Sequence, residues 1–245
     1  MKKYIGILIL LLFTNNLMAK EYKIAISNWT PYEYINENQE EKGININIIK
    51  AVAKSLNWKI KFYNRPFTRC LLEVEKGKMD AIMSVFKTPE REKFLYFPTE
   101  HINSDITILF THKDSKLKYN GNLKSLSGLE VALERDNSYG KKFDNADYLI
   151  KQKAPNSHRL VSVITSKRYP VGIHSYYALI ALAKELNSID TIKILSPPVS
   201  KDKLYIAFTK AKGPSYEKLA QDFSEALKNF KTTPEYREIM QDYEL

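Results

Sequence analysis

One cysteine in 245 residues leaves Cys70 without an internal disulfide partner, so stability must come from packing. Long apolar runs are equally scarce. Past the first twenty residues nothing approaches the roughly 20 apolar residues that span a bilayer, so the body of the chain reads as soluble. Catalytic signatures are missing too: there is no Gly-x-Ser-x-Gly elbow, no His-Glu-x-x-His, no phosphate loop and no cluster of metal ligands. The expectation is therefore a protein that is not an enzyme and needs no cofactor or metal. No internal repeat or low-complexity tract is found. The chain also lacks a basic block: the formal net charge is +10, but the lysines are scattered singly. Such scatter reads as a solvated surface with no nucleic-acid partner, and leaves a bias toward anionic ligands or an anionic membrane surface.

What the sequence does contain begins with a leader. Lys2 and Lys3 precede the apolar stretch Ile5 to Phe13, and Ala19 stands just before Lys20-Glu21. This is the pattern of a secretory signal peptide, about nine apolar residues being too few to span. Cleavage is expected after Ala19, although Leu17 is larger than the residue usual at that place. No Cys lies nearby, which argues against a lipid anchor. The remainder suits one large domain or two lobes of about 100 residues each.

Along the body, Tyr22 to Ile26 and Lys59 to Tyr63 read as strands, and Ile44 to Leu56 carries apolar residues at helical spacing. Thr68 to Lys76 reads as an amphipathic helix with Leu71, Leu72 and Val74 inward, ended by Gly77. Met79 to Ser84 reads as a buried strand that ends in a loop. Strands alternating with helices point to an α/β layer with a mostly parallel sheet. After Ile106 to Phe110, the polar stretch Thr111 to Leu126 looks like a boundary, and a second α/β pattern follows. It comprises strands at Gly128 to Leu133 and Val171 to Ile173, a helix beginning at Tyr139 to Phe143, a mixed stretch at Arg159 to Thr165, and a helix from Tyr176 to Leu186. Leu204 to Phe208 is a return strand, and helices from Ser215 to Phe230 and from beyond Pro234 through Tyr243 close the chain.

Four segments together resemble the bacterial extracellular solute-binding proteins of family 3, which serve polar amino acid uptake. They are Ser27-Asn28-Trp29-Thr30-Pro31-Tyr32-Glu33; Gly43-Ile44-Asn45-Ile46, with Asn where the family has Asp; Gly77-Lys78-Met79-Asp80-Ala81-Ile82-Met83-Ser84 with Thr88-Pro89-Glu90-Arg91 and Phe97-Pro98; and Tyr236-Arg237-Glu238-Ile239-Met240 with Tyr243. The resemblance implies a two-lobed, type II periplasmic-binding fold, each lobe a mostly parallel sheet flanked by helices, joined by two hinge strands near Ile108–Phe110 and Tyr205–Phe208. Lobe 1 is then expected over 20–109 and 206–245, and lobe 2 over 110–205. It further implies a monomeric periplasmic protein that closes on a small-molecule ligand and docks on an ABC permease in the inner membrane.

The candidate site residues are Trp29, Tyr32, Arg69, Ser84, Arg91, Ser138, Tyr139 and His174. Arg91 matches the family's carboxylate-binding arginine. A guanidinium offers two parallel charge-assisted bonds that Lys cannot imitate; the competing role is a surface partner of Glu90 or Glu92. Ser84 would add a hydroxyl donor. Trp29 and Tyr32 have flat faces suited to sandwiching a ligand, or else belong to the core. Arg69 is either a second cation for the ligand or an exposed helix arginine, and Cys70 reads as a small buried hydrophobe. Ser138 and Tyr139 fall between a strand and a helix, where backbone N–H groups suit an anion. Where the family's amino-acid binders carry an aspartate for the ligand ammonium, this chain has Gly172-Ile173-His174-Ser175-Tyr176. That departure leaves two ligands open: an amino acid whose ammonium is met by Asp136 or Glu33, or another carboxylate or small anion met by His174 and Ser175. Rival functions are a sensing module that reports to a membrane receptor and a dehydratase-type enzyme.

Overall fold

The computed structural model describes residues 20–135 and 137–241. The expected leader, Asp136 and the proposed end of the last helix at Tyr243 lie outside the described residues.

The chain runs β1 (Glu21–Ile26), β2 (Tyr34–Ile35), β3 (Glu41–Lys42), α1 (Ile44–Ser55), β4 (Lys59–Asn64), α2 (Phe67–Glu75), β5 (Ala81–Phe86), α3 (Pro89–Glu92), β6 (Leu95–Tyr96) and β7 (Asn103–His112). A short 3₁₀ turn at Leu123–Leu126 leads to β8 (Glu130–Glu134), α4 (Lys141–Asp144), β9 (Ile150–Ala154), α5 (Ser157–Thr165), β10 (Val171–Ser175) and α6 (Tyr176–Glu185). Then come β11 (Ile192–Thr209), α7 (Ser215–Phe230) and α8 (Pro234–Gln241).

The main sheet has the order β4-β1-β5-β11-β7-β10-β8-β9. Its two ends are parallel, β4-β1-β5 on one side and β10-β8-β9 on the other. Between them β7 and β11 pair antiparallel with each other from Asn103–Leu204 to His112–Ile192. These two long strands carry the chain between the lobes, which gives the two-lobed α/β architecture expected. Each lobe has its own core. In the first, Ile44, Ile46, Ile48, Ile49 and Val52 of α1 meet Tyr216, Ala220, Phe223 and Leu227 of α7 against the sheet, while Cys70 and Val74 of α2 cover its other face. In the second, Leu160, Val161, Ile164, Leu179 and Leu182 of α5 and α6 pack on one face, and Leu123, Leu126 and Phe143 on the other. The spacing of Tyr216, Ala220, Phe223 and Leu227 is the i, i+4, i+7, i+11 stripe of an amphipathic helix, and fully burying a Leu or Phe contributes about 1.5–3 kcal/mol.

Gly43 begins α1 at φ +124, and a Cβ there would strike the backbone carbonyl of Tyr32. Only glycine lets the helix start so close to the loop that carries Trp29 and Tyr32.

The structure shifts several expected elements. In α2, Leu72 faces solvent at 46% exposure: Cys70 and Val74, four apart, set the buried face, and Leu72 lies between them on the outer side. The ladder of β5 starts at Ala81 and runs on to Phe86, so Ser84 sits inside the strand, at φ +55, instead of ending it. The turn before it holds Asp80, whose carboxylate accepts from Lys23 N at 2.8 Å, from Lys212 Nζ at 2.7 Å and from the Tyr216 hydroxyl. The mixed stretch at 159–165 is helical within α5. Besides the two-residue strands β2, β3 and β6, the sequence reading lacks β9 and the part of β11 before Leu204, where Pro197 and Pro198 fall in a register shift between Leu195 and Ser200. Proline cannot donate to a ladder, and a bulge is where a strand accommodates it.

Candidate functional site

A cavity of about 660 Å³ opens between the lobes, lined from the first by Trp29, Phe67, Ser84 and Arg91 and from the second by Glu134, Ser138, Tyr139, Ser157, His174 and Ser175, with Asp105 of β7 between them. Its volume falls in the range of small-molecule sites, roughly 300–1,000 Å³.

Arg91 is the cation of the first wall. Thr88 caps α3 by accepting from Arg91 N at 3.4 Å, and Pro89 occupies the first turn, which turns the arginine back toward β5. There Nη1 donates to Phe86 O at 3.0 Å and the guanidinium lies 5.3 Å from the centre of the Phe67 ring. The residue is only 8% exposed, and burial pushes its pKa down to about 10. It enters none of the ion pairs among the described residues, so it is not the surface partner of Glu90 or Glu92. Asp144 and Glu90 offset its burial only in part and from beyond 4 Å; a desolvated cation without a close counter-charge is costly, and an anion entering the cavity would relieve that cost.

Trp29 lines the cavity and leans on Tyr32, with ring centroids 4.7 Å apart. Tyr32 itself is core: it is 2% exposed, and its hydroxyl donates to Asp105 Oδ1 at 2.6 Å. Ser84 reaches the cavity, but its hydroxyl is engaged behind the wall, donating to Glu33 Oε2 and accepting from Asn45 Nδ2 at 2.9 Å. Glu33 also accepts from Ser27 N at 2.9 Å, and burial pushes its carboxyl up to about 8. It is not among the cavity's lining residues, which argues against Glu33 as the partner of a ligand ammonium. Arg69 is a correction: its side chain is 64% exposed and pairs with Glu73 at 2.7 Å, away from the cavity. Arg65 lines the cavity instead, its Nη1 donating to Asn64 O at 2.7 Å.

On the second wall Ser138 and Tyr139 line the cavity, but their backbone N–H groups are not arranged as anion binders. Tyr139 N donates to Asp144 Oδ1 at 2.9 Å, and the Ser138 hydroxyl donates to Asp144 Oδ2; Tyr139 OH accepts from Glu134 N at 2.9 Å. Deeper in, the Ser157 hydroxyl donates to Glu134 Oε2 and lies 3.0 Å from His174 Nε2. Burial pushes His174 down to about 4, so its imidazole is neutral, and raises the Glu134 carboxyl above its ordinary value. At the floor Asp105 accepts from Ser175 Oγ at 2.5 Å as well as from Tyr32, and burial raises it too. Asp105, Glu134, Ser157, Arg65 and Phe67 line the cavity without being among the sequence candidates. Asp105 sits in an ordinary β-run; Ser157 follows Asn156, whose side chain accepts from Arg159 N at 2.8 Å, a helix-start pattern that says nothing of a cavity.

The family model described as bacterial extracellular solute-binding proteins, family 3, matches residues 22–245. Among curated proteins, the chain is 24% identical to a probable histidine-binding protein of Neisseria gonorrhoeae over 55% of each chain, so it spans about half the length of that relative. It is 24% identical to an arginine-binding periplasmic protein of Mannheimia haemolytica over 90% of each. Among solved structures, a histidine kinase sensor domain with similarity to periplasmic binding proteins superposes with a TM-score of 0.80 at 18% identity, covering 92% of this chain and 96% of that one.

Proposed function

Because the chain belongs to family 3 of the bacterial extracellular solute-binding proteins, we propose that it captures an amino acid or a related small carboxylate by closing its two lobes, in the periplasm, and delivers it to an ABC permease of the inner membrane. The observation that carries this reading is Arg91, a buried guanidinium in the cavity wall that forms no ion pair within 4 Å among the described residues, Asp144 and Glu90 acting on it only from farther away. A ligand carboxylate completes that charge with paired hydrogen bonds. Closure then brings the second wall onto the same guest, and the ligand shifts the balance by binding the closed form more tightly than the open one.

The lobes divide, on this reading, close to the expected 109/110 and 205/206, with the crossing a few residues earlier on both strands, at Asn103 to Ile106 and Ser200 to Leu204. Ile106, Ile108 and Phe110 pack with the second lobe, and Leu204 and Ile206 with the first. The amino-terminal pattern of the sequence supports export, and the arginine- and histidine-binding names of the relatives support an amino acid.

The test is a thermal-shift screen of amino acids, dicarboxylates and small anions against the mature protein, repeated with Arg91→Ala. A ligand at 100 times its Kd adds about 2.7 kcal/mol of stability. Wild type is expected to show that gain with a carboxylate ligand and the variant to lose most of it; an equal shift in both rejects Arg91 as the anchor. A second reading, a periplasmic sensor that hands its closed form to a receptor, is favoured by the likeness to the kinase sensor domain. Loss of solute uptake in a deletion strain supports transport, and intact uptake with a lost response supports sensing.

A further inference from the structure

We propose that Glu134, positioned by Ser157 and His174, reads the side chain of the ligand and selects an amino acid whose side chain is a cation: a guanidinium, an ammonium or an imidazolium. The inference rests on the amino-acid reading above and deepens it.

Three elements meet to build this reader. Glu134 ends β8, Ser157 opens α5 and His174 lies in β10, and all three line the cavity. A serine hydroxyl has a single proton. Here it goes to Glu134 Oε2, so the contact with His174 Nε2 at 3.0 Å requires the imidazole to donate. A neutral imidazole with its proton on Nε2 has a bare Nδ1, and that is the buried His174 atom without a hydrogen-bond partner. Around Glu134, then, the Ser157 and His174 protons are used within the cluster, and the free carboxylate oxygen faces the cavity as an acceptor. Among the described residues Glu134 Oε1 takes no hydrogen bond, and no cation pairs with the carboxylate within 4 Å. Ser157 also fixes the rotamer of Glu134, so the free oxygen is held ready for a donor.

Charge complementarity gives the ligand class. The inner surface holds one buried cation, Arg91, and two carboxyl groups, Asp105 and Glu134. Buried charges need partners, and a guest with one carboxylate and two cationic groups supplies all three. An amino acid with a basic side chain has that composition: its carboxylate meets Arg91, its ammonium the floor at Asp105, and its side chain Glu134. Arg65 and Arg135 also line the cavity. Arg65 already faces Glu73 at 3.9 Å, and Arg135 is exposed to solvent, so neither cancels the inner carboxylates. The titratable neighbour of Glu134 is His158, exposed on α5, and the Tyr139 hydroxyl lies against the Glu134 backbone.

Isothermal titration of the mature protein with arginine, lysine, histidine, glutamine and glutamate tests this, using wild type, Glu134→Gln, Ser157→Ala and Arg91→Ala, with the unliganded melting point of each variant confirming that it folds. Wild type is expected to bind one or more of the cationic amino acids at least about 10-fold more tightly than glutamine. Glu134→Gln should erase that preference while changing glutamine affinity only a few-fold, and Ser157→Ala should reduce it partway. A preference that survives Glu134→Gln, or a wild type that prefers glutamate or glutamine with Arg91-dependent binding, overturns this inference and leaves the amino-acid reading standing. Binding of none of the five overturns the inference, and binding that ignores Arg91 sinks the broader reading.

Discussion

Two carboxyl groups on opposite sides of the cavity are both pushed up by burial, yet they do different work. Glu33 lies behind the first wall, enclosed by Ser27, Ser84 and the core, and no guest reaches it. Glu134 lies in the second wall with one oxygen unclaimed. The contrast teaches that position relative to the cavity, and not the direction of the pKa shift, separates a structural carboxyl from a recognising one. The first wall faces the guest with a buried cation and an aromatic, the second with the Glu134 carboxyl, and neither completes its charges alone.

The sharpest way to break the comparison is to titrate stability. The Glu33 carboxyl ionises near 4.5 when unfolded and near 8 when folded. Between those values the folded state binds the extra proton, so stability falls as pH rises from about 4.5 to about 8 and levels off beyond. The contribution is on the order of 3–5 kcal/mol. Denaturant unfolding across that range should show a downward slope for wild type that Glu33→Gln largely removes, and the slope should not depend on ligand; an identical slope in both proteins would show that Glu33 is solvated. Next in size is Arg91→Ala, expected to abolish most of the roughly 2.7 kcal/mol that a saturating ligand adds while leaving the unliganded melting point nearly unchanged. Tyr32→Phe removes one of the two hydroxyls that serve Asp105 and should cost about 1–2 kcal/mol of unfolding free energy, with the melting curve as readout. Arg69→Ala should be the smallest, about 0.5–1 kcal/mol and without effect on ligand affinity, since Arg69 is exposed, lies outside the cavity lining, and leaves Arg65 facing the buried Glu73.

Local patterns carried much of this into the sequence. The Thr88-Pro89-Glu90-Arg91 signal is a helix cap followed by a cation, and the structure realises both. Apolar spacing placed α1 and α7 within a residue of their ends. What the sequence hid depends on distance along the chain. Asp105 gains its role from Tyr32 and Ser175, which stand 73 and 70 residues away, and no window over its own strand contains either. Tyr32 and Arg69 show the opposite case: their residue types suit a ligand as well as the core or the surface, and the fold turns one into the core and the other to solvent. β9, with Lys151 and Lys153 in five residues, is an edge strand whose lysines disguise it and discourage pairing with another chain.

β11 is 18 residues long and stays hydrogen-bonded to β5 at one end and to β7 along the other. The two halves are thus parts of one woven ribbon, and any swing between them must be a flexure of that ribbon. A flexure that leaves the ladder intact cannot slip in register, so under the proposed closure the facing walls would return to the same alignment each time. The arrangement trades breadth of travel for repeatability, which suits a trap that must distinguish guests by the placement of a few charges.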